Sequence, residues 1–318
     1  MAESKIIASL VTVNWNGKRF LERLLPLLEK QNFPRDAFEI VVVDNFTTKD
    51  DSVAYIKKNF PNVVLIENTR NDGFAGGCNI GIRASSGKYI VLINNDTEPD
   101  KDWLKALVEC ADRKKAGAVV SKLMFKNRPG IINNAGSILE PNASWPIREL
   151  GANEKDGPKY NKEIEITAVC GASVLLSRAM LEQIGIFDEN FFMYFEDGDL
   201  SWRGQKAGWK YYYCPKSVVV HEHSGSSGEH SDFFTYYVTR NRQLILLKHS
   251  SLGIVARSYA SFLRDFLVRP SLGIIAMRNR RHNLRNLRLF VKIQLALLTH
   301  APNSLLKRLR LLREASLK

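Results

Sequence analysis

Apolar residues in the first part of the chain fall into short unbroken runs, and helical-period segments lie between them. Ile6–Val13, Glu39–Val43, Val63–Ile66 and Tyr89–Ile93 have the length of strands. Phe20–Leu28 instead repeats its apolar residues at helical spacing (Phe20, Leu21, Leu24, Leu25, Leu28). Ser52–Asn59, Asn79–Ala84 and Trp103–Arg113 read as further helices. Strands alternating with helices predict βαβ units and a mostly parallel sheet. Tyr89–Ile93 is apolar throughout, β-branched at Ile90, Val91 and Ile93, and closed by Asn94-Asn95-Asp96-Thr97 and Pro99. Such a run reads as a strand buried on both faces. Right-handed crossovers then gather Val13-Asn14, Asp44-Asn45, Glu67-Asn68 and Asn94–Asp96 along one edge, where open α/β sheets bind ligands. Asp96 is therefore a candidate site residue, although Asp96 or Thr97 can equally serve as a helix N-cap.

Beyond residue 115 the pattern changes. Ala116–Met124 and Ser217–Val220 read as strands, whereas 126–165 is rich in Asn, Gly, Pro and charge and suits loops. From Phe233 onward helices are expected over Phe233–Lys248, Ile254–Arg269, Leu284–Leu298 and Ser304–Leu312. The expected division is a 1–230 α/β domain, with halves 1–125 and 126–230, followed by a 231–318 basic helical region.

Charge sharpens that division. The net charge is +13 over 318 residues. Residues 251–318 hold 14 Lys/Arg against Asp265 and Glu314, or +12, which leaves +1 for residues 1–250. The longest uncharged run of the tail, Ile293–Leu306, has 14 residues, too few for a bilayer span of roughly 20. Apolar stripes alternating with Arg and Lys suit helices lying on an anionic membrane surface. Packing of the tail on the body is the alternative. No groove-reading or RNA-binding signature accompanies the charge, so nucleic acid is not an expected partner. Cys78, Cys110, Cys170 and Cys214 are scattered without metal-finger spacing and read as ordinary thiols in a reducing compartment. Met1–Lys5 leads directly into the first strand, so no signal peptide is expected.

Several stretches carry candidate chemistry. Asp44, at a strand end, can accept hydrogen bonds from a base or ribose, or simply form a turn. Asn71-Asp72-Gly73-Phe74-Ala75-Gly76-Gly77-Cys78-Asn79-Ile80-Gly81 is glycine-rich but is neither G-x-G-x-x-G nor a P-loop. Its glycines allow close backbone approach to a ligand and its helix start offers amides to phosphate, or the stretch is a structural turn. Thr167–Ser177 is rich in small residues, as tight packing or close backbone approach to a ligand would require. In Phe191-Phe192-Met193-Tyr194-Phe195-Glu196-Asp197-Gly198-Asp199-Leu200-Ser201-Trp202-Arg203, carboxylates sit against aromatic rings, which raises a carboxyl pKa toward that of a useful general base. Glu196 or Asp199 with Arg203 can instead be an ion pair on one helix face, and the acidic turn can complement a helix dipole. His221 and His223 face one way on a strand, as a metal-ligand pair would.

The order and spacing of Val11-Thr12-Val13-Asn14-Trp15-Asn16, Ile40–Asn45, Asn71-x-Gly73-Phe74-Ala75-x-x-x-Asn79-x-Gly81 and Leu92–Asp96 resemble the family 2 nucleotide-sugar glycosyltransferases. The likeness is to their rhamnosyltransferase-like branch of bacterial surface-polysaccharide synthesis. Glu196-Asp197-Gly198-Asp199-Leu200-Ser201-Trp202-Arg203 fits that family's Glu-Asp-x-Asp-Leu-x-x-Arg stretch. The resemblance implies a GT-A fold, a Rossmann-like mostly parallel sheet flanked by helices, here with a C-terminal basic helical extension. It implies a metal-dependent hexosyltransferase that inverts the anomeric centre, with Asp197 as general base. It places Thr12, Val13, Asn14, Asp44, Asn71, Gly73, Phe74, Asn79, Asn95 and Asp96 on the donor side. Glu196, Asp199, Trp202 and Arg203 fall on the acceptor side or in support of the base. Mg²⁺ or Mn²⁺ would be held by Asp96 and His221, with Ser226 completing the family's His-to-Ser pattern and a Ser/Gly stretch ordering over the phosphates. Asn94 stands where the Asp-x-Asp motif has its first carboxylate, which leaves the site one charge short.

The implied partners are a dTDP- or UDP-linked sugar and a lipid-linked or saccharide acceptor, met at the cytoplasmic face of the cell membrane. Self-association is left open. A nucleotidyltransferase on a related sheet and a non-catalytic carbohydrate- or nucleotide-binding scaffold at the membrane are the rival readings.

Overall fold

The structure is a computed structural model describing residues 6–222, 231–275 and 279–316. His223 and Ser226, with the Ser/Gly stretch around them, lie outside these. The chain forms two compact units: Met1–Leu139 with Ile147–Ser226, and Glu140–Pro146 with Ser227–Lys318.

In the first unit the strands are β1 (Ala8–Asn14), β2 (Phe38–Asp44), β3 (Val64–Glu67), β4 (Tyr89–Ile93), β5 (Thr97–Pro99), β6 (Ala118–Phe125), β7 (Ile132–Asn134), β8 (Ser137–Leu139), β9 (Ile147–Glu149), β10 (Ile164–Ile166), β11 (Ser173–Ser177) and β12 (Tyr211–His221). The helices are α1 (Lys18–Glu29), α2 (Ser52–Asn59), α3 (Gly73–Ala84), α4 (Trp103–Lys114), α5 (Arg178–Ile184) and α6 (Glu196–Lys206). The main sheet runs β10-β12-β6-β11-β4-β1-β2-β3, with β5 paired to β12 and β7 to β6. β4, β1, β2 and β3 are parallel, and Asn14, Asp44 and Glu67 stand side by side in register. The expected polar edge therefore forms. β11 enters antiparallel between β4 and β6.

The two faces of the central strands are buried by different helices. Leu10, Ile40, Val42, Val91 and Ile93 pack with Leu21, Leu24, Leu25 and Leu28 of α1 and with Trp103, Leu104 and Leu107 of α4. Val11, Val41, Ile90 and Leu92 pack with Ala75, Cys78 and Ile82 of α3. Alternate residues of each strand serve alternate faces, as the pleat requires.

Two elements of this unit differ from the sequence expectation. α3 starts at Gly73, six residues before the expected Asn79, so the glycine-rich stretch is itself helical. Its glycines bring the helix onto the sheet: a Cβ at Gly77 would lie 2.7 Å from Val13 Cγ1, and one at Gly81 would lie 2.3 Å from Val11 Cγ1. β12 begins at Tyr211, well before Ser217, and contains a bulge between Cys214 and Val218. Pro215 and Lys216 interrupt its apolar alternation, which hid the first half of the strand.

The second unit is helical: α7 (Asp232–His249), α8 (Leu252–Leu263), a π-helical turn at Arg264–Val268, α9 (Arg269–Ile275) and α10 (Arg280–Ser316). The two helices expected on either side of Pro302 are one helix. Its packed face continues across the proline, with Leu289, Ile293, Leu297 and Ser304 all buried. That continuity offsets the missing amide and ring clash of an internal proline, about 3 kcal/mol. Its opposite face exposes Leu284, Val291, Leu295, Leu298, Leu305, Leu306 and Leu309. Among the described residues no helix is long and apolar enough to cross a membrane.

Candidate active site

The polar edge is wired by side-chain amides. Asn95 Nδ2 donates to Asn14 Oδ1 at 3.0 Å, and Asn14 Nδ2 donates to Asp44 Oδ1 at 3.3 Å. Asp44 Oδ2 accepts from the Thr47 amide at 3.0 Å, so the carboxylate also forms the turn that sequence allowed. Thr12 Oγ1, two residues back on β1, is buried and has no hydrogen-bond partner among the described residues. Val13 is the strand residue on which Gly77 rests.

Asn45 is a hub that the sequence reading left out of the site. It donates to Asn71 Oδ1 at 3.0 Å and to the Gly73 carbonyl at 2.9 Å, and it accepts from Asn68 Nδ2 at 3.1 Å. Its position directly after Asp44 was the available signal. Trp15 and Phe46 present exposed rings at the same edge.

The start of α3 is committed to protein. Asn71 Oδ1 accepts from the Gly73 amide at 2.9 Å, and the Phe192 carbonyl accepts from the Ala75 amide at 3.0 Å. Gly73 has φ +72°, and a Cβ there would lie 2.4 Å from the Phe192 carbonyl oxygen. The Gly73 amide thus holds Asn71, and the Ala75 amide holds the Phe192 segment. Asn79 exchanges two hydrogen bonds with the Phe187 backbone, at 2.9 and 3.0 Å, and donates to Glu189 at 2.8 Å. Its role is to clasp α3 to the segment that leads into α6.

That segment is strained. Phe192, Tyr194 and Phe195 have φ of 65°, 68° and 69°, and the Met193 amide donates to the Phe191 carbonyl at 2.8 Å, closing a tight turn about Phe192. Non-glycine residues in this region cost of order 1–3 kcal/mol each and collect at functional sites. The strain delivers Glu196, Asp197 and Asp199 to the first turn of α6.

The three carboxylates have different surroundings. Asp197 is half-buried: Oδ2 accepts from the Gly171 amide at 3.0 Å and Oδ1 from the Gly198 amide at 2.7 Å. Burial raises its pKa, and the backbone amides partly oppose the rise. Glu196 is buried, and its Oε2 has no hydrogen-bond partner among the described residues. Burial, then the neighbouring Asp197 charge, push its pKa well up. Asp199 is fully buried, 2.9 Å from Arg203 Nε. Arg203 also donates to the carbonyls of Ile184, Gly185 and Ile186 at 2.5, 3.0 and 2.8 Å. This is the ion-pair alternative, and it clamps the turn after α5. Trp202 is buried, with the Lys206 ammonium 5.7 Å from its ring centroid.

The small-residue stretch packs tightly, one of the two uses expected of small residues. A Cβ on Gly171 would come within 3.1 Å of the Phe74 ring, and its amide holds Asp197. Phe74 of α3 thereby stands next to Asp197, and the donor-side and base-side stretches meet. Glu149 of β9 also lies near: desolvation of its carboxyl, then the Asp197 charge, raise its pKa, although the residue as a whole is exposed. It sits in a region that read only as loop, with no motif to mark it.

Asp96 and His221 meet because β5 pairs antiparallel with β12, setting Thr97 opposite His221. His221 Nε2 lies 3.4 Å from Asp96 Oδ1, and both residues are buried. His221 Nδ1 donates to Asn133 Oδ1 at 2.8 Å, since an amide oxygen only accepts. That bond turns the Nε2 lone pair toward Asp96. A carboxylate oxygen and an imidazole nitrogen at this separation can both contact one divalent cation. Asn94 Oδ1 is buried without a hydrogen-bond partner among the described residues, so the amide at the missing-carboxylate position is uncommitted. The donor set fits a divalent ion.

Residues 9–185 match the description Glycosyl transferase family 2. The chain belongs to that family. It is 27% identical over 209 residues to the O-antigen biosynthesis protein RfbC of Myxococcus xanthus, covering 63% of this chain but only 16% of that protein. It is 25% identical over 244 residues to the N-acetylglucosaminyl-diphospho-decaprenol L-rhamnosyltransferase of Mycobacterium tuberculosis, covering 70% of this chain and 78% of that protein. GalNAc-T7, crystallised with UDP, GalNAc and Mn²⁺, superposes with TM-score 0.60 at 19% identity, over 77% of this chain and 48% of that one. The mannosyltransferase PcManGT from Pyrobaculum calidifontis, in complex with GDP-Man and Mn²⁺, gives 0.53 at 16% identity, over 91% and 86%. The family 2 chain thus has the GT-A fold that its sequence led us to expect.

Proposed function

We propose that this family 2 glycosyltransferase transfers a sugar, rhamnose or a related hexose, from a dTDP- or UDP-linked donor, with inversion at the anomeric carbon. The acceptor is a hydroxyl of a lipid-linked or saccharide substrate in cell-surface polysaccharide synthesis. The observation that carries the reading is Asp197: a half-buried carboxylate of raised pKa, anchored by two backbone amides beside Phe74 of the donor-side helix. In the transfer step Asp197 takes the acceptor hydroxyl proton while that oxygen bonds to the anomeric carbon. The carbon–oxygen bond to the nucleoside diphosphate breaks in line, and the diphosphate leaves with the bonding electrons. A single displacement of this kind inverts the centre. Asp44 would receive the nucleoside, with the exposed rings of Trp15 and Phe46 beside it. Asp96 and His221 would hold Mg²⁺ or Mn²⁺, which neutralises charge on the departing diphosphate when bound.

The test is product analysis with nucleotide-sugar donors. Release of a nucleoside diphosphate and an inverted linkage supports the reading. Pyrophosphate release would point to a nucleotidyltransferase, and no turnover with any donor–acceptor pair to a binding scaffold. Replacing Asp96 by alanine is expected to abolish the metal-dependent part of donor affinity in calorimetry. Undiminished Mn²⁺-dependent binding by that variant would sink the metal assignment.

We further propose that the 231–318 region is a distinct helical domain that lies on the cytoplasmic face of an anionic membrane. The support is α10, whose exposed apolar stripe carries the exposed cations Arg288, Lys292, Arg310 and Arg313 on and beside it. Each leucine removed from water contributes roughly 1.5–3 kcal/mol. Substituting both Leu295 and Leu298 by glutamate in the full chain should therefore weaken binding to phosphatidylglycerol vesicles by about 100-fold or more. Unaltered co-sedimentation of the double variant would show that the stripe has another use.

A further inference from the structure

Two of the four cysteines, unrelated in sequence, are brought together with a carboxylate on the far side of the sheet connections. Cys110 lies on α4, Glu163 in the segment leading into β10, and Cys214 on β12 at its bulge. The two sulfurs and a carboxylate oxygen of Glu163 all lie within 4.8 Å of one another. Both cysteines are 1% exposed.

The bulge explains why a sulfur is welcome here. Cys214 pairs with Ser121, but the next ladder partner is Val218 with Lys122, so three residues leave the register. The amides of two of them, Lys216 and Ser217, turn to the Cys214 sulfur. Two convergent backbone N–H groups form a cradle for negative charge. The Cys214 thiol donates to the Ala106 carbonyl at 3.6 Å, so its sulfur faces α4, the helix that carries Cys110. Glu163 is fixed in turn by Arg113, 2.5 Å away, which offsets part of the accumulated negative charge.

We propose that Cys110, Cys214 and Glu163 bind a thiophilic divalent cation of the zinc class, at a site separate from the Asp96–His221 pair. Zinc takes sulfur at about 2.3 Å and carboxylate oxygen at about 2.0–2.2 Å, so a tetrahedral set needs ligand separations of roughly 3.5–3.8 Å. The observed cluster closes on that with small side-chain movement. On binding, the thiols release their protons to solvent and both sulfurs ligate as thiolates. Thiolates select against Mg²⁺ and Mn²⁺, which prefer oxygen, so the two sites divide the metals by ligand softness. The ion would pin α4, the approach to β10 and the bulge of β12 to one another. β12 is the strand that carries His221, seven residues beyond Cys214.

The full chain, stripped of metal and kept reduced, is titrated with Co²⁺ and then Zn²⁺. One equivalent of Co²⁺ should produce a sulfur-to-cobalt charge-transfer band that Zn²⁺ erases. Cobalt at Asp96 and His221 has no sulfur ligand and gives no such band. Cys110→Ser and Cys214→Ser should each lose the band, Glu163→Gln should keep it with weaker binding, and Cys170→Ser should leave it unchanged. Should the serine variants fold poorly, alkylation of the wild-type chain decides: bound Zn²⁺ should protect Cys110 and Cys214 in the peptide map. No band in the reduced wild type, a band that survives both serine substitutions, or a Cys110–Cys214 pair that Zn²⁺ leaves open to alkylation would each overturn the proposal.

Discussion

Asp197→Asn is expected to lower the rate of sugar transfer by roughly 10²–10⁴-fold, the usual contribution of a positioned general base. Donor affinity should stay within about twofold, because the proposed reading puts Asp197 at the acceptor and the donor at Asn14, Asp44 and Asp96. The fold should tolerate the change. An asparagine oxygen can still accept from one of the Gly171 and Gly198 amides, and losing the other bond costs about 1 kcal/mol. Against that stands the removal of a buried negative charge. Burial raises the pKa of both Asp197 and Glu196, so the folded state holds their protons more tightly than the unfolded chain. The stability this lends is complete below the ordinary carboxylate range of about 4 and is lost as pH rises through the raised folded values. At neutral pH the ionised base is therefore a cost, and Asp197→Asn removes it. The unfolding midpoint should fall by no more than about 2–4 °C. The same raised pKa should make wild-type transfer fall off on the acid side at a higher pH than an ordinary aspartate would allow. Retention of turnover by the asparagine variant would remove Asp197 from the role.

The parts of this fold that were legible in sequence are those whose signal is local. Tyr89–Ile93 reads as a buried strand because five consecutive apolar residues between turn signals leave few other readings, and its parallel neighbours follow from strand–helix alternation. The first turn of α6 was legible because its carboxylates are contiguous. What escaped depends on contacts across the fold. The glycines of α3 looked suited to a ligand, yet Val11 and Val13 fill the space above Gly81 and Gly77, and only the sheet supplies those side chains. Asn133 and Glu149 sit in loop sequence whose pairing with β6 and β8 is not encoded by any period. The Cys110–Cys214 meeting needs the bulge in β12, which three irregular residues create. Asp199 and Arg203 were four residues apart on one helix face, but whether they served substrate or scaffold turned on the carbonyls of Ile184–Ile186.

Those carbonyls make Arg203 the position at which substitution should cost the most stability. Arg203→Leu leaves the fully buried Asp199 carboxylate without its cation and three carbonyls without their donor. Breaking a buried pair from one side costs about 3–5 kcal/mol, because the remaining buried charge has lost its cation. Lysine should recover little, since a point ammonium cannot reach the carboxylate and three carbonyls from one place as a planar fork does. The double change Asp199→Leu with Arg203→Leu should be more stable than Arg203→Leu alone, because it removes the stranded charge. Activity should fall along with stability. The clamped turn runs directly into Phe187, which Asn79 holds to α3, and from there into the strained Phe192–Phe195 segment that aims Asp197. Loosening Arg203 therefore releases the base from its setting, which should show as a fall in kcat below the melting range. Denaturant unfolding decides the matter: a loss under about 1 kcal/mol for Arg203→Leu would mean that the pair is a surface-like contact with no hold on the site.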